Sequence, residues 1–315
     1  MKKIIPIMAA LLAPLALLAQ EKKGPYESGF ELPGSRAEVY KTIGDVKLKI
    51  YIYEPKGHKA AAKRPAIVFF FGGGWRGGTP RQFLEHCRYL ASKGMVAMTA
   101  DYRVSSRQGT KPLHCVRDGK SAVRWIRQNA DRLGIDPDRV AAGGGSAGGH
   151  VAACTGTLPK HDEPGEDAKV SSVPNAMVLF NPVLITAEAE GLKTFGGDRL
   201  EKLKARLGVE DPKTMSPYHN IRKSLPPPLV LHGKGDTTVP YSTAEAYVKQ
   251  AAKTGLRAEL AGYEDMPHGF FNFGRRDNKM FLATVTRMHE FLGSLGYVKG
   301  KPTVERHLKR LAGRK

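Results

Sequence analysis

Ser146 lies at the centre of a glycine cluster, in the sequence Gly-Gly-Ser-Ala-Gly over residues 144–148. An apolar run precedes the cluster, and small residues typical of a tightly packed helix follow it. On a turn from strand to helix this G-x-S-x-G pattern exposes the serine hydroxyl, because glycines leave room that side chains would fill. The following helix would direct its positive end and the free N–H of Ala147 at an oxyanion formed there. The pattern therefore predicts a nucleophilic serine.

The pattern alone is weak, since the chain contains 35 glycines and a glycine-rich turn without chemistry is an alternative. A second segment adds to it. Gly72, Gly73 and Gly74 directly follow the apolar run 66–71, which predicts a central strand. A loop without side chains lets backbone N–H groups approach a substrate, so Gly73 and Gly74 could donate to the same oxyanion. The alternative for this loop is a tight turn.

Asp236 lies in the segment 235–240, after a predicted strand at 229–232. A carboxylate at the carboxyl end of a strand can orient a histidine and stabilise its imidazolium. A turn-forming or helix-capping aspartate is the alternative interpretation.

His268 follows the last predicted strand, in the loop Met-Pro-His-Gly-Phe at 266–270. Among the ten histidines it is the best candidate base, because several others lie within predicted strands or helices or in the wrong chain order. The order Ser146, Asp236, His268 is that of the α/β-hydrolase fold. Each of the three residues follows a predicted strand.

The elements that must position these residues alternate between strands and helices, which predicts a doubly wound α/β fold. We expect a mostly parallel sheet of eight strands with helices on both faces, in one catalytic domain at 45–297. The clearest predicted strands are 46–52, 66–71, 95–100, 176–181, 229–232 and 257–263. The clearest predicted helices are 80–93, 118–133, 200–207, 242–255 and 279–295.

The two ends of the chain differ from this pattern. Lys2 and Lys3 precede an apolar stretch, and Ala19 offers a cleavage site, so residues 1–19 are predicted to be a signal peptide of a secreted or periplasmic protein. An uncleaved N-terminal anchor is the alternative; after cleavage no stable membrane insertion is expected. Residues 20–44 are predicted to be a lead-in, and residues 298–315 a solvated or frayed basic tail.

The formal net charge is +20 at pH 7. We expect no nucleic-acid partner, because the protein is predicted to be exported and has neither zinc-finger spacing nor an aromatic–basic strip. A solvated basic surface is the simplest interpretation, and weak attraction to acidic polysaccharides or to the cell envelope is the alternative.

Three cysteines, Cys87, Cys115 and Cys154, allow at most one disulfide, and buried thiols are equally consistent with their apolar surroundings. The sequence predicts neither a metal site nor a cofactor.

Five segments carry a family resemblance: FGGGW, DYR, GIDPDRVAAGGGSAGGH, HGKGDTTVP and MPHGF. Together they resemble the secreted bacterial esterases of the α/β-hydrolase superfamily, close to the hormone-sensitive-lipase-like and acetyl-xylan-esterase-like groups. The resemblance extends from about residue 46 to residue 295. It implies Ser146 as nucleophile, Asp236 as orienting acid and His268 as base. It implies oxyanion donors at Gly73, Gly74 and Ala147.

Two departures from the family pattern affect the expected site. Phe71 stands where the lipase-like group has a histidine, so the hydrogen bond that braces the glycine loop should be lost. The segment before the first clear strand is too short for that group's helical cap, so any lid must come from residues 186–223. We therefore expect an open site suited to a bulky or polymeric substrate, with Trp75 lining the substrate pocket.

The predicted function is a metal-independent serine carboxylesterase for short-acyl esters, acetyl esters first. Export and an open site favour acetylated polysaccharide as substrate, by family resemblance. A serine peptidase of the prolyl-oligopeptidase kind is one alternative, because it shares the catalytic fold. A non-catalytic carbohydrate- or envelope-binding protein on a hydrolase scaffold is another, and the basic charge would be its support.

Overall fold

A computed structural model of the chain describes residues 26–192 and 194–313. The predicted signal peptide at 1–19 lies outside the described residues. No helix of the described part is long and apolar enough to cross a membrane.

Nine strands and nine α-helices occur within the described residues, joined by short 3₁₀ turns. The strands are β1 (Tyr26–Glu27), β2 (Arg36–Ile43), β3 (Val46–Tyr53), β4 (Arg64–Phe70), β5 (Val96–Ala100), β6 (Ile135–Gly145), β7 (Ala176–Phe180), β8 (Pro228–Gly233) and β9 (Glu259–Tyr263). The helices are α1 (Leu84–Ser92), α2 (Ser105–Gln108), α3 (Pro112–Gln128), α4 (Ala130–Leu133), α5 (Ala147–Thr157), α6 (Arg199–Arg206), α7 (Tyr241–Lys253), α8 (Lys279–Ser294) and α9 (Val304–Ala312).

All nine strands form one sheet, in the order β1-β3-β5-β4-β6-β7-β8-β9, with β2 paired to β3. Strand β3 is antiparallel to both β2 and β5. The six neighbouring strands β5, β4, β6, β7, β8 and β9 are all parallel to one another. The carboxyl ends of β4, β6 and β8 therefore lie along the same edge of the sheet. In open α/β sheets ligands bind at that edge.

The sheet separates two apolar cores, as the alternation along β4 shows. Ala66, Val68 and Phe70 face the core formed with α3, α5 and α7. Ile67 and Phe69 face the other core, formed with α1 and α8. Each phenylalanine is fully buried, which contributes roughly 2–3 kcal/mol of transfer free energy. Helices thus cover both faces, as predicted.

The amino-terminal segment differs from the predicted lead-in, since β1 and β2 both lie between residues 20 and 44. The predicted domain at 45–297 contains seven strands, and these two bring the sheet to nine where eight were predicted. Strand β2 is irregular because the pairing register shifts between Val39 and Lys41. This bulge leaves Tyr40 and Lys41 both buried in succession, which removes the alternation that marks a strand in a sequence.

The carboxyl-terminal segment is also more ordered than the predicted frayed tail. Helix α9 buries Val304 and His307, and Leu308 packs against the same core as α1 and α8. The ring nitrogen Nε2 of His307 lies 3.3 Å from Glu85 on α1. The charged residues of this segment dominate its composition, but its few apolar side chains share one face of a helix.

The three cysteines are all free and buried. The structure thus selects buried thiols, one of the two alternatives that the sequence left open.

Candidate active site

Ser146 occupies the sharp turn between the end of β6 and the start of α5. Its backbone angles, φ 55° and ψ −118°, are rare for a residue with a side chain. The turn depends on close backbone approach: a Cβ on Gly144 would lie 2.3 Å from the carbonyl oxygen of Gly148, and one on Gly148 would lie 2.1 Å from that of Phe70. Ser146 keeps partial exposure although the residues on either side of it are buried. The sequence thus presents one hydroxyl at the edge of the sheet.

His268 and Asp236 meet Ser146 at this edge. The Oγ–H of Ser146 donates to Nε2 of His268 at 2.9 Å, and the Nδ1–H of His268 donates to Oδ2 of Asp236 at 2.7 Å. A carboxylate can only accept, so this network assigns the imidazole proton to Nδ1 and leaves Nε2 to accept from the hydroxyl. The three residues come from loops after β6, β8 and β9, as the strand order requires.

Asp236 is held as a carboxylate by four donors. Its Oδ1 accepts from the backbone N–H groups of Thr238 and Val239 at 2.8 and 2.9 Å, and Nε2 of His232 lies 3.3 Å from Oδ2. Burial by itself would raise the pKa of Asp236. The hydrogen bonds from His232, His268 and the Val239 amide outweigh it and hold that pKa well below its usual value. The group that faces His268 is therefore negatively charged.

The glycine loop after β4 lies directly beside the serine, since a Cβ on Gly72 would lie 3.3 Å from that of Ser146. Gly73 and Gly74 have φ values of 131° and 61°, which favour glycine. The N–H of Gly72 donates to Oε1 of Gln82 at 2.6 Å. Within the described residues, the N–H groups of Gly73 and Gly74 have no such partner. The two N–H groups that the sequence predicted as donors are thus left to a ligand.

The bracing that the loop was expected to lose is supplied by other side chains. Tyr102 stacks on Phe71 with ring centroids 4.1 Å apart, and its hydroxyl donates to the Phe71 carbonyl at 2.6 Å. As Phe71 implied, no histidine bond from the described residues braces the loop, but a tyrosine and a glutamine hold it instead. Neither residue stands next to the glycine motif in the sequence.

Gln82 also connects the glycine loop to the histidine loop. Its Nε2 donates to Oδ1 of Asn272 at 2.9 Å, and Nδ2 of Asn272 donates to the carbonyl of Gly269 at 2.8 Å. On its other side, the Gly269 N–H donates to Oδ1 of Asn181 at 3.1 Å. The residue after His268 is thus fixed at both its N–H and its carbonyl group. The roles of Gln82, Asn272 and Asn181 could not be predicted from the sequence, because contacts so distant along the chain leave no local pattern.

A cavity of about 650 Å³ opens at Ser146 and is lined by Trp75, Gly74 and Ala147 among others. The indole of Trp75 is 4% exposed and packs edge-on against His150, with ring centroids 5.1 Å apart. Trp75 thus lines the cavity that contains the serine, on the side of the glycine loop.

Described residues of the segment 186–223 also line this cavity. The segment contributes Phe195 and, from the eight-residue helix α6, side chains that include Leu203 and Arg206. This is the segment from which the sequence predicted any lid to come. Within the described residues, no group of three His, Cys, Asp or Glu side chains is arranged to hold a metal ion.

Comparison with known families identifies the chain. The family model described as BD-FAE matches residues 50–250, a range that begins within β3, ends within α7 and includes both Ser146 and Asp236. The chain belongs to the BD-FAE family. Among curated relatives, the probable carboxylic ester hydrolase LipM of Mycobacterium tuberculosis is 27% identical over 242 residues, covering 73% of this chain and 54% of that protein. Esterase LipC of the same organism is 28% identical over 217 residues, covering 65% of this chain and 53% of that protein.

This BD-FAE family member spans about half the length of the curated relatives it matches. The match to solved structures covers a larger share of the other protein than the match to these curated relatives does. Esterase 2 of Thermogutta terrifontis phosphonylated by sarin is 50% identical with a TM-score of 0.83, and covers 86% of this chain and 98% of its own. The same esterase with propionate bound is 51% identical, with a TM-score of 0.81 and the same coverage. In its paraoxon-phosphorylated form it is 48% identical, with a TM-score of 0.79 and again the same coverage.

These comparisons confirm the resemblance to α/β-hydrolase esterases that the five sequence segments predicted, and they confirm the fold class. The relatives with named activities are ester hydrolases. The match therefore favours an enzyme that acts on carboxylic esters.

Proposed function

We propose that this chain is a serine carboxylesterase in which Ser146 is the nucleophile, His268 the general base and Asp236 the group that orients the base. The observation that carries the proposal is the pair of hydrogen bonds on His268, 2.9 Å to Ser146 Oγ and 2.7 Å to Asp236 Oδ2. Both distances lie within the range over which a proton can pass from a nucleophile to a positioned base.

The proposed reaction has two halves. Nε2 of His268 takes the proton from Ser146 as Oγ attacks the ester carbonyl, and the carbonyl electrons move onto its oxygen. The oxyanion collapses, the bond to the alcohol oxygen breaks, and the imidazolium returns its proton to that oxygen. Water then attacks the acyl-enzyme while His268 takes its proton. The second oxyanion collapses, the bond between the acyl carbon and Oγ breaks, His268 returns the proton to Ser146 Oγ, and the acid leaves. Throughout, the Asp236 carboxylate stabilises the imidazolium without accepting its proton.

Stabilisation of the oxyanion is assigned to the N–H groups of Gly73, Gly74 and Ala147. The first two lie in a loop with free N–H groups, and the third is the first residue of α5, where the helix leaves its N–H unpaired. By analogy with measured oxyanion holes, each donor lowers the barrier by about 3 kcal/mol. The helix dipole adds to this effect because it places partial positive charge at the same point.

Short acyl groups are the proposed substrates, acetyl esters among them. The esterase from Thermogutta terrifontis has been solved with propionate and with butyrate bound, and at about half identity this supports a short-acyl site here. The apolar part of the cavity beside Ser146, formed by Trp75, Val183 and Leu203, suits such a chain.

We further propose that the enzyme acts outside the cytoplasm and removes acetyl groups from polysaccharides. The sequence pattern of a signal peptide at residues 1–19 supports the location. The partial exposure of Ser146 at a cavity open to solvent supports a substrate that extends beyond the site.

Hydrolysis of p-nitrophenyl acetate, butyrate and octanoate tests the proposal, with wild type compared with Ser146→Ala. We expect turnover that falls with chain length and drops by about 10⁴-fold or more in the variant. Ser224→Ala is the matched control, because Ser224 is exposed and lies outside the site. Equal turnover in Ser146→Ala would overturn the assignment of the nucleophile. Faster cleavage of a matched p-nitroanilide than of the ester would favour the peptidase instead. Release of acetate from acetylated xylan is the separate test of the polysaccharide substrate.

A further inference from the structure

The cavity at Ser146 has an apolar interior and a cationic rim. Four of its lining residues are basic, and of the described residues that line it none is Asp or Glu. The basic residues are Arg76, which follows the glycine loop, and Arg199, Lys202 and Arg206 on α6. Two separate segments therefore bring positive charge to the opening above the serine.

Two of these three arginines are held by backbone carbonyl groups and not by acidic partners. Arg206 donates to the carbonyl of Gly74 at 2.6 Å and lies over the Trp75 ring, 5.7 Å from its centroid. Arg199 donates to the carbonyls of Thr237 and Thr238 at 3.2 and 2.7 Å. None of the three guanidinium groups forms an ion pair with a carboxylate anywhere in residues 26–192 or 194–313. Backbone carbonyls and an aromatic ring thus orient Arg199 and Arg206, and in the described part of the chain none of the three arginines has a carboxylate partner to neutralise its charge.

Several arginines elsewhere on the protein are instead neutralised by carboxylates. Arg103, Arg107 and Arg124 each pair with buried or half-buried carboxylates at their own sites. An overall excess of basic residues predicts some unpaired cations, but it does not predict their convergence on one concave surface that contains the nucleophile. Burial and the nearby charge of Arg76 lower the pKa of Arg206, which agrees with two like charges facing the same space.

Resting on the proposed esterase function, we infer that this cavity selects esters that carry a carboxylate or sulfate group close to the scissile bond. The guanidinium of Arg76, exposed at the opening, would bind the anion directly through paired N–H donors, and Arg199 and Arg206 would add to the potential. Lys202 contributes less, because it forms an ion pair with Asp198 at 2.6 Å. The substrate class is thus a short-acyl ester within an anionic molecule, such as an acetylated acidic sugar chain. Anions would also be concentrated at the site before binding.

A matched pair of substrates tests this inference: para-acetoxybenzoate, which carries a carboxylate, and its neutral methyl ester. We expect the wild type to prefer the anion by about tenfold in kcat/KM, as a charged hydrogen bond implies. The preference should fall toward unity in Arg76→Gln and when salt is raised from about 50 mM to about 500 mM. Arg306→Gln is the matched control, since Arg306 is an exposed arginine on α9 and its variant makes the same change in net charge. That variant should keep the wild-type ratio.

A second pair locates the anion relative to the ester. In p-nitrophenyl hydrogen adipate the charge lies on the acyl side, and the methyl ester of the same compound is its neutral partner. A preference for the anion in either pair that depends on Arg76 supports the inference and identifies the side. Turnover of both neutral esters without preference for either anion would overturn the inference and leave the esterase proposal standing. An equal loss of preference in Arg306→Gln would overturn the local site in favour of a general surface effect, and no turnover of any ester would overturn both proposals.

Discussion

Gln82 connects the two loops that the proposed mechanism requires to be fixed relative to each other. Its carbonyl oxygen accepts from Gly72 and its amide donates to Asn272, which in turn holds the carbonyl of Gly269. Replacement by methionine keeps the length and most of the volume of the side chain but removes both hydrogen bonds. The glycine loop should then move relative to Ser146, while the fold stays intact.

The size of the effect follows from what the loop does. Two lost hydrogen bonds at about 1 kcal/mol each lower the free energy of unfolding by roughly 2 kcal/mol. The loop carries two of the three proposed oxyanion donors, each contributing about 3 kcal/mol, and displacement weakens rather than removes them. A barrier increase of about 1.4–3 kcal/mol corresponds to a loss of about 10- to 100-fold in kcat. KM should change by less than about threefold, because the oxyanion forms only in the transition state.

The assay is steady-state hydrolysis of p-nitrophenyl acetate by wild type, Gln82→Met and Gln128→Met. Gln128 is exposed at the end of α3, so its variant makes the same chemical change away from the site and should leave both constants unaltered. Circular dichroism and a urea titration establish that each variant is folded. A folded Gln82→Met enzyme with kcat within about twofold of wild type would refute the role assigned to Gln82.

Three further predictions concern the site and the core. Asp236→Asn should fold normally and lose about 10⁴-fold in kcat for the same ester, because the amide favours the wrong imidazole tautomer; activity within about tenfold of wild type would contradict this. Both ring nitrogens of buried His86 lack partners in the described residues, and burial lowers its pKa from 6.5 to about 3. Between those values the unfolded chain binds more protons, so the free energy of unfolding should fall by about 1.4 kcal/mol per pH unit on acidification, and His86→Leu should make urea midpoints fall less steeply with pH. Thiol titration should find no reactive group in the native protein and three after denaturation, at Cys87, Cys115 and Cys154; rapid native reaction would contradict their burial.

The arrangement of Ser146, Asp236 and His268 could be predicted because each follows an apolar run that forms a strand of the parallel part of the sheet. Parallel strands bring their carboxyl ends to one edge, so sequence position alone indicates that these side chains meet. The central strands were equally visible, since both of their faces are buried and their sequences are continuously apolar.

Strand β2 could not be predicted in the same way, because its buried residues include a lysine. Nζ of Lys41 lies 2.7 Å from Asp118 and 2.6 Å from Glu163, and both carboxylates also bind Arg103. A lysine is buried only when such partners are present, and these lie far away along the chain. The sequence of β2 therefore resembles that of an exposed segment.

The bracing of the glycine loop shows the same limit at the site itself. The resemblance to the lipase-like group identified Phe71 as a departure, but the replacement for the missing histidine comes from Tyr102 and Gln82, at two other positions. Tyr102 belongs to the DYR segment that the sequence analysis noted without a role. Tyr102 reaches Phe71 because β4 and β5, which precede these two residues, pair side by side in the sheet.

Covalent trapping of the nucleophile tests the central proposal most directly. The protein is incubated with paraoxon, the released p-nitrophenol is counted against protein, and the modified peptide is identified by mass spectrometry. The proposed mechanism predicts one equivalent of p-nitrophenol, one diethylphosphoryl group on Ser146, a parallel loss of esterase activity, and no adduct in Ser146→Ala. An unmodified Ser146 in protein that has lost its activity, or an adduct at another residue with the same stoichiometry, would contradict it.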